Sequence, residues 1–382
     1  MTAVAAVIIG AVALAAWAWM LCLRGGFWLA RERDDRDLPA QAPASWPDVV
    51  AVVPARNEAD VIGRSIASLV AQDYPGSFRI LLIDDSSEDG TAEAAPAAPG
   101  KLEVVRGASL PPGWTGKLWA MRQGAERAAQ LGARYVLFTD ADIAHAPDNL
   151  RRLVARSEAR GLVLNSLMAE LSVTNWAESL LIPAFVFFFA MLFPFAWAND
   201  PRRRTAAAAG GCMLVDRKAL EAAGGVTAIR GQIIDDCALA ALLKRHGPIW
   251  LGLTHRARSL RPYPDLASIG AMVSRSAYAQ LRFSPWLLGG TVVGMALVYL
   301  AGPLLAVFGS GLARLLGALS WAAMTLAFQP MLRFYRCSPL WGLCLPVIAG
   351  LYSAFTVASA LQTWRGRGGM WKGRAQASAA AS

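Results

Sequence analysis

Hydrophobic and polar positions fall into two kinds of pattern along the chain. Long uncharged blocks lie at the ends: residues 1–23, Trp286 to Gly311, Leu315 to Leu332 after the single charge of Arg314, and Pro339 to Leu361. Blocks of this length are of the order a bilayer requires, about twenty residues per span. Between them the apolar runs are short and end in polar clusters. Val49 to Val53 is a β-branched run, read as a buried parallel strand. It ends in Pro54-Ala55-Arg56-Asn57-Glu58, and Asp60 is placed to cap a helix through Ile62, Ile66 and Leu69. Phe78 to Ile83 predicts a second strand, ending at Asp84-Asp85-Ser-Ser-Glu-Asp89-Gly90-Thr91. Residues 92–100 read as a worn helix and loop, Leu102 to Val105 as a third strand, and Leu118 to Leu131 as a helix behind the loop that carries Lys117.

Tyr135 to Thr139 predicts the strand on which the rest depends. It runs directly into Asp140 and Asp142, two carboxylates at i, i+2. In an open α/β sheet ligands bind outside the carboxyl ends of strands. Asp148 is placed to cap the next helix. Leu162 to Leu171 is expected to return as a strand, and Gly210-Gly211 to precede another. Trp250 to Leu253 and Ala257 to Leu260 read as two strands around His255. Asp235 and Asp236 open a helix over Cys237 to Arg245, where the helix dipole favours ionised carboxylates. Trp176 to Trp197 is apolar and aromatic, but Glu178, Pro183 and Pro194 favour an interfacial or tunnel-lining segment over a span.

Composition sharpens this picture. The 382 residues are 55% hydrophobic and 17% charged, more apolar than a typical soluble domain. Residues 1–23 lack a basic start, and Arg24, Arg31, Arg33 and Arg36 follow them, so an uncleaved anchor is expected rather than a signal peptide. The positive-inside bias then puts the following domain in the cytoplasm. The net charge of +10 reads as positive-inside loops and attraction to anionic headgroups, not as a nucleic-acid interface. The five cysteines are scattered, with no CxxC pair, and no zinc site is expected.

The polar clusters narrow the chemistry. No GxGxxG follows the first strand and no GxxxxGK[ST] exists, which disfavours a nicotinamide site and a P-loop. Two hard carboxylates at Asp140 and Asp142 suit a divalent cation, and the cation suits a diphosphate. Lys117 adds a positive charge, and Asp84 or Asp85 can accept hydrogen bonds from a base or a ribose. Asp235 or Asp236 can serve as base for an attacking hydroxyl. The bland reading of each is a helix cap, a surface ion pair or a solvated loop, and His145, His246 and His255 are expected to be structural.

The motifs Pro54 to Glu58, Asp84 to Thr91, Thr139-Asp-Ala-Asp142, Gly210-Gly211 and Asp235-Asp236 together resemble family 2 glycosyltransferases, over residues 48–283. The layout is similar to that of hopene-associated membrane members. The resemblance implies an α/β GT-A fold, a mostly parallel doubly wound sheet with transmembrane helices at both ends. It implies a nucleotide-diphosphate sugar donor, expected to be a UDP-sugar, with Mg2+ or Mn2+, and inversion by direct displacement. Carried over by position, Pro54, Ala55, Arg56, Asn57, Glu58, Asp84 and Asp85 would bind the nucleoside, with Lys117 and Gly211 also at the donor. Asp140 and Asp142 would hold the metal, and Asp236 would be the base beside Asp235. Relatives that carry Gln-x-x-Arg-Trp differ here: Gln280-Leu-Arg282-Phe283 is one residue short and has Phe for Trp. Arg275, Gln280 and Arg282 are still expected at the diphosphate, and polymer synthesis is disfavoured. The tail Trp371-Lys-Gly-Arg374 is similar to a motif of carotenoid-type relatives.

The expected organisation is an anchor over 1–23, a linker over 24–47 and a cytoplasmic catalytic domain over 48–283 with an interfacial segment at 176–198. A transmembrane region over 284–362 and a basic tail over 363–382 follow. The expected setting is a bacterial inner membrane, multi-pass, with a lipid acceptor of hopanoid type and no nucleic acid. A processive polysaccharide synthase and a non-catalytic nucleotide-binding scaffold are the alternatives. Three spans after the domain would put Arg365, Arg367, Lys372 and Arg374 outside, against the positive-inside bias. A re-entrant or interfacial C-terminal segment and a cytoplasmic tail are expected instead.

Overall fold

The computed structural model describes residues 2–36 and 42–366, with the backbone of 370–371 and 374–375. Linker residues 37–41, Arg367 and the side chains of the 371–374 tail motif lie outside the described residues. The chain divides into two compact units. One comprises Met1–Arg31, Val173–Ala196 and Tyr263–Gly368; the other comprises Glu32–Ser172, Trp197–Pro262 and Gly369–Ser382.

The second unit is built on an eight-stranded sheet of β1 (Val49–Ala55), β2 (Phe78–Asp84), β3 (Leu102–Arg106), β4 (Tyr135–Thr139), β5 (Ile143–His145), β6 (Leu164–Glu170), β7 (Cys212–Asp216) and β8 (Ile249–Ser259). Their order is β3-β2-β1-β4-β7-β6-β8-β5. The half β3-β2-β1-β4 is parallel, with Ala55 opposite Asp84 and Val52 opposite Phe138. All seven residues of β1 are buried because helices cover both faces, which is why β1 reads as an unbroken apolar run. The helix Gly116–Gln130 lies close on this half: a Cβ on Gly124 would fall 2.2 Å from Val52 Cγ1. Only glycine permits that approach, and the approach sets where the helix delivers Lys117.

The other half of the sheet is mixed. β7 runs antiparallel to both β4 and β6, β6 is parallel to β8, and β8 is antiparallel to β5. Here the structure departs from the sequence reading in detail. The two strands around His255 are one, Ile249–Ser259, and β5 has no counterpart in the expected elements. Residues 92–100 form turns without a helix. Asp60 does not cap: the helix starts at Ile62 after Val61, with no side-chain cap. Asp148 occupies the N-cap position without making a cap bond, because Arg152 and Arg256 take its carboxylate.

The first unit is helical. Among the described residues four helices are long and apolar enough to cross a membrane: Ala3–Leu23, Pro285–Phe308, Gly311–Phe334 and Pro339–Trp364. Trp176–Leu192 is a shorter apolar helix of 17 residues. Its Glu178 is fully buried yet satisfied, accepting from Thr174 N and Oγ1 and from Tyr263 N. Trp17 is fully buried, and its Nε1 donates to Val298 O at 2.9 Å.

Candidate active site

Polar loops gather at the carboxyl ends of β1, β2 and β4. The loop after β1 is zipped to the loop after β2. Arg56 Nη1 donates to Asp85 O and Ser86 O, and Glu58 N donates to Thr91 Oγ1 at 2.8 Å. Asn57 N donates to Ser87 Oγ, and Glu88 N donates back to Asn57 Oδ1. Asn57 and Ser86 take left-handed φ values of 51° and 55° to allow this exchange. Pro54 and Ala55 lie inside β1 itself, paired with Ile83 and Asp84. Asp84 and Asp85 are both buried, and Asp84 Oδ1 accepts from Ser87 N.

The carboxylates beyond β4 meet the acidic helix start. Lys117 Nζ lies 2.8 Å from Asp140 Oδ1 and 3.1 Å from Asp235 Oδ2, so one ammonium joins β4 to the helix Asp235–Leu243. Asp236 Oδ2 accepts from Gly210 N at 3.0 Å, and its Oδ1 accepts from Cys237 N at 2.7 Å. Gly210 sits in the middle of this group. A Cβ there would fall 3.2 Å from Lys117 Nζ, 3.6 Å from Asp236 Oδ2 and 3.8 Å from Asp140 Oδ2. The absent side chain is what leaves room between the three charged groups. Gly211 faces elsewhere: a Cβ on it would meet Ala169 and Ile143.

Electrostatics follow from this crowding. Burial works against the Lys117 charge, but Asp140 and Asp235 outweigh it and hold the amine above its ordinary range. Burial, and then the neighbouring Asp235, push the Asp236 carboxyl up to about 6; Lys117 and the two N–H donors oppose them. The helix dipole alone favours ionised carboxylates, and burial outweighs it at Asp236. Asp142 is likewise raised, by burial and by the charge of Asp140. Its Oδ2 accepts from Ser259 Oγ at 3.1 Å and lies 3.9 Å from Arg261 Nε.

Arg261 was not among the residues expected from the sequence. It follows the end of β8, where it pairs with Glu58 and stands 3.8 Å from Asp60. It therefore connects the β1 loop to Asp142. No motif around Arg261-Pro262 marked it, since the contact exists only once β8 and β1 share a sheet.

Beneath Asp140 runs a buried polar relay. Thr139 Oγ1 donates to Gly211 O at 2.8 Å, so it accepts from His145 Nε2 at 2.9 Å, which leaves Nδ1 to accept from Asn149 Nδ2. Burial lowers the His145 pKa to about 4, so the ring is neutral and its tautomer is set by these partners. The relay ties the end of β4 to the Gly210-Gly211 turn. Burial pushes the Cys212 thiol up to about 12, which favours its protonated form.

A divalent cation of the kind the resemblance implies would find hard oxygen donors in Asp140 and Asp142. Among the described residues no group of three or more His, Cys, Asp or Glu side chains converges. Two carboxylates fit a cation whose other positions belong to diphosphate oxygens and water. The repulsion that raises Asp142 is what such a cation would relieve. Arg275, Gln280 and Arg282 belong to the helical unit: Arg275 caps Leu266–Ser274, Gln280 ends Ala277–Gln280, and Arg282 has a left-handed φ of 52°.

Residues 50–224 match the model of Glycosyl transferase family 2. The chain is 33% identical over 124 residues to the succinoglycan biosynthesis protein ExoO of Rhizobium meliloti, covering 30% of this chain and 31% of that one. It is 29% identical over 183 residues to the beta-monoglucosyldiacylglycerol synthase of Synechocystis sp., covering 42% and 37%. The matches span roughly a third of the length of these curated relatives. A mannosyltransferase from Pyrobaculum calidifontis, solved in complex with GDP-Man and Mn2+, superposes with a TM-score of 0.52 at 19% identity. The superposition covers 94% of this chain and 99% of that chain, a likeness of fold.

Proposed function

We propose that this chain, whose residues 50–224 match the model of glycosyl transferase family 2, is a membrane-bound inverting glycosyltransferase that moves a sugar from a nucleotide-diphosphate donor to a lipid hydroxyl. The observation that carries this reading is the Lys117 ammonium bridging Asp140 and Asp235, with Gly210 leaving space beside Asp236. Acids far apart in sequence thereby meet at one ammonium, and a diphosphate leaving group and a deprotonated acceptor both call for such a grouping of charge.

The steps follow from the residues. The end of β1 with the loop to Glu58, and the end of β2 with the loop to Thr91, would seat the nucleoside, with Asp84 or Asp85 accepting from base or ribose. Asp140 and Asp142 would hold the divalent cation, which when bound supplies positive charge to the diphosphate. Lys117 and Arg261 stand next to those carboxylates and would add positive charge of their own. Asp236 would take the proton of the acceptor hydroxyl. That oxygen forms its bond to the anomeric carbon as the carbon–oxygen bond to the diphosphate breaks, and the nucleoside diphosphate leaves with the electron pair. A single base and one displacement give inversion.

The lipid acceptor is supported by four apolar helices long enough to cross a membrane and by the likeness to a relative named for a glucosyldiacylglycerol. A hopanoid acceptor rests on the sequence resemblance alone. The succinoglycan relative keeps polysaccharide synthesis as the second reading. Membranes containing the chain, given radiolabelled UDP-sugars and GDP-sugars, are expected to yield a lipid-extractable product. Water-soluble polymer as the labelled product would favour the second reading. Undiminished donor turnover in Asp142→Ala and Asp236→Ala would refute both.

A further inference from the structure

The helical unit contains four candidate spans, but their ends do not alternate as four crossings would. Pro285–Phe308 and Gly311–Phe334 are antiparallel: a Cβ on Gly302 would meet Ser320, and one on Gly317 would meet Leu305. Ala3–Leu23 runs beside them, with Gly10 near Leu305 and Leu316 and Trp17 bonded to Val298. Ser284, Tyr335 and Arg24 therefore mark one end of the bundle, and Thr2, Gly309 and Ser310 mark the other. A fourth crossing that starts after Tyr335 would finish beside Gly309.

Pro339–Trp364 finishes at the starting end instead. Tyr352 and Tyr299 both pack on the Phe188 ring. Ala360 clusters with Leu288 and Tyr278, and Val292 and Val357 pack onto that cluster. The Trp364 ring lies 5.9 Å from Tyr278. Residues 352–364 thus retrace Pro285–Leu300 backwards and arrive where that helix begins.

The first limb is braced by side chains of the preceding helix. Gln329 Nε2 donates to Pro339 O at 3.1 Å, Thr325 Oγ1 to Gly342 O at 3.3 Å, and Trp321 Nε1 to Leu343 O at 3.2 Å. As the chain advances from 339 to 343, its partners recede from 329 to 321, so this limb points into the bundle. Irregular backbone at membrane depth is tolerated only where protein groups satisfy it, and these three donors meet that demand. Charge agrees with the geometry. Arg24, Arg282, Arg333, Arg336 and Arg365 lie toward the starting end, while Arg314 lies at the other.

We infer that Pro339–Trp364 is a re-entrant element, that the bundle crosses the bilayer three times, and that its basic end docks on the anionic headgroups of the cytoplasmic leaflet with the C-terminal tail on that side. This rests on the membrane part of the proposed function and not on sugar transfer. The experiment uses the full chain with one epitope inserted between Gly309 and Ser310 and a second after Ser382. In intact spheroplasts the first epitope is expected to bind antibody and the second only after permeabilisation. Antibody binding to the second epitope in intact spheroplasts overturns the re-entrant element while leaving the membrane reading in place. A Gly309 epitope that stays hidden until permeabilisation overturns the three crossings. Recovery of the chain in the soluble fraction overturns the membrane reading itself.

Discussion

At the scale of single residues, Asp236 is the most exacting position. Its carboxyl is raised to about 6, so it is a carboxylate above that pH and loses its basic form below it. Donor turnover by the wild type is therefore expected to fall as pH drops through about 6, read as the acidic limb of a kcat/KM profile. Lys117 lowers the Asp236 pKa, so Lys117→Met is expected to move that limb to higher pH as well as raise the donor KM. Asp236→Asn keeps the size and the contact with Gly210 but removes the base, and is expected to lower kcat by about 10²- to 10⁴-fold. Arg261→Lys retains a charge but loses the planar fork that reaches both Glu58 and Asp142; a raised donor KM with folding intact is the expected result, measured by kinetics and thermal melting. The acids at 140, 142, 235 and 236 were all visible in the sequence because each follows or opens an apolar element. Arg261 was not, because an arginine after a strand carries no signal until its partners are known.

At the scale of elements, the apolar runs located the parallel strands well, since a strand buried on both faces must be apolar throughout. Pairing was less legible. Nothing in Cys212 to Asp216 says that β7 runs against β4, yet that antiparallel pairing places Gly210 and Gly211 beside Thr139 and Asp140. The three-residue β5 carries no signal of its own for the same reason: its register is set by β8, more than a hundred residues later. The His145 relay depends on that placement. His145→Leu would leave the Thr139 hydroxyl and the Asn149 amide without their buried partner. It is expected to shift the Gly210 turn and so lower kcat, by up to about 10²-fold, with a smaller change in donor KM. Thr139→Val should produce the same kinetic pattern if the relay acts through the turn. A pure loss of thermal stability with unchanged kcat in both variants would show the relay to be structural only.

At the scale of the whole molecule, the chain joins a sheet-based unit to an apolar helical one, each returning more than once along the sequence. The full chain is expected to stay in the membrane pellet through an alkaline carbonate wash and to be released by detergent. Its appearance in the carbonate supernatant would contradict spanning helices.

The amino-acid sequence by itself determined what is local: which runs are apolar enough for strand or membrane, where each run stops, and which carboxylates stand at those stops. Burial demands leave that imprint residue by residue, so it can be read without coordinates. Tertiary structure alone decided what is shared between distant segments. It put one lysine against Asp140 and Asp235, one empty glycine position beside Asp236, and one arginine between Glu58 and Asp142. Those relations depend on strand pairing and helix direction, which are settled by the packing of many residues together and leave no mark on any one of them.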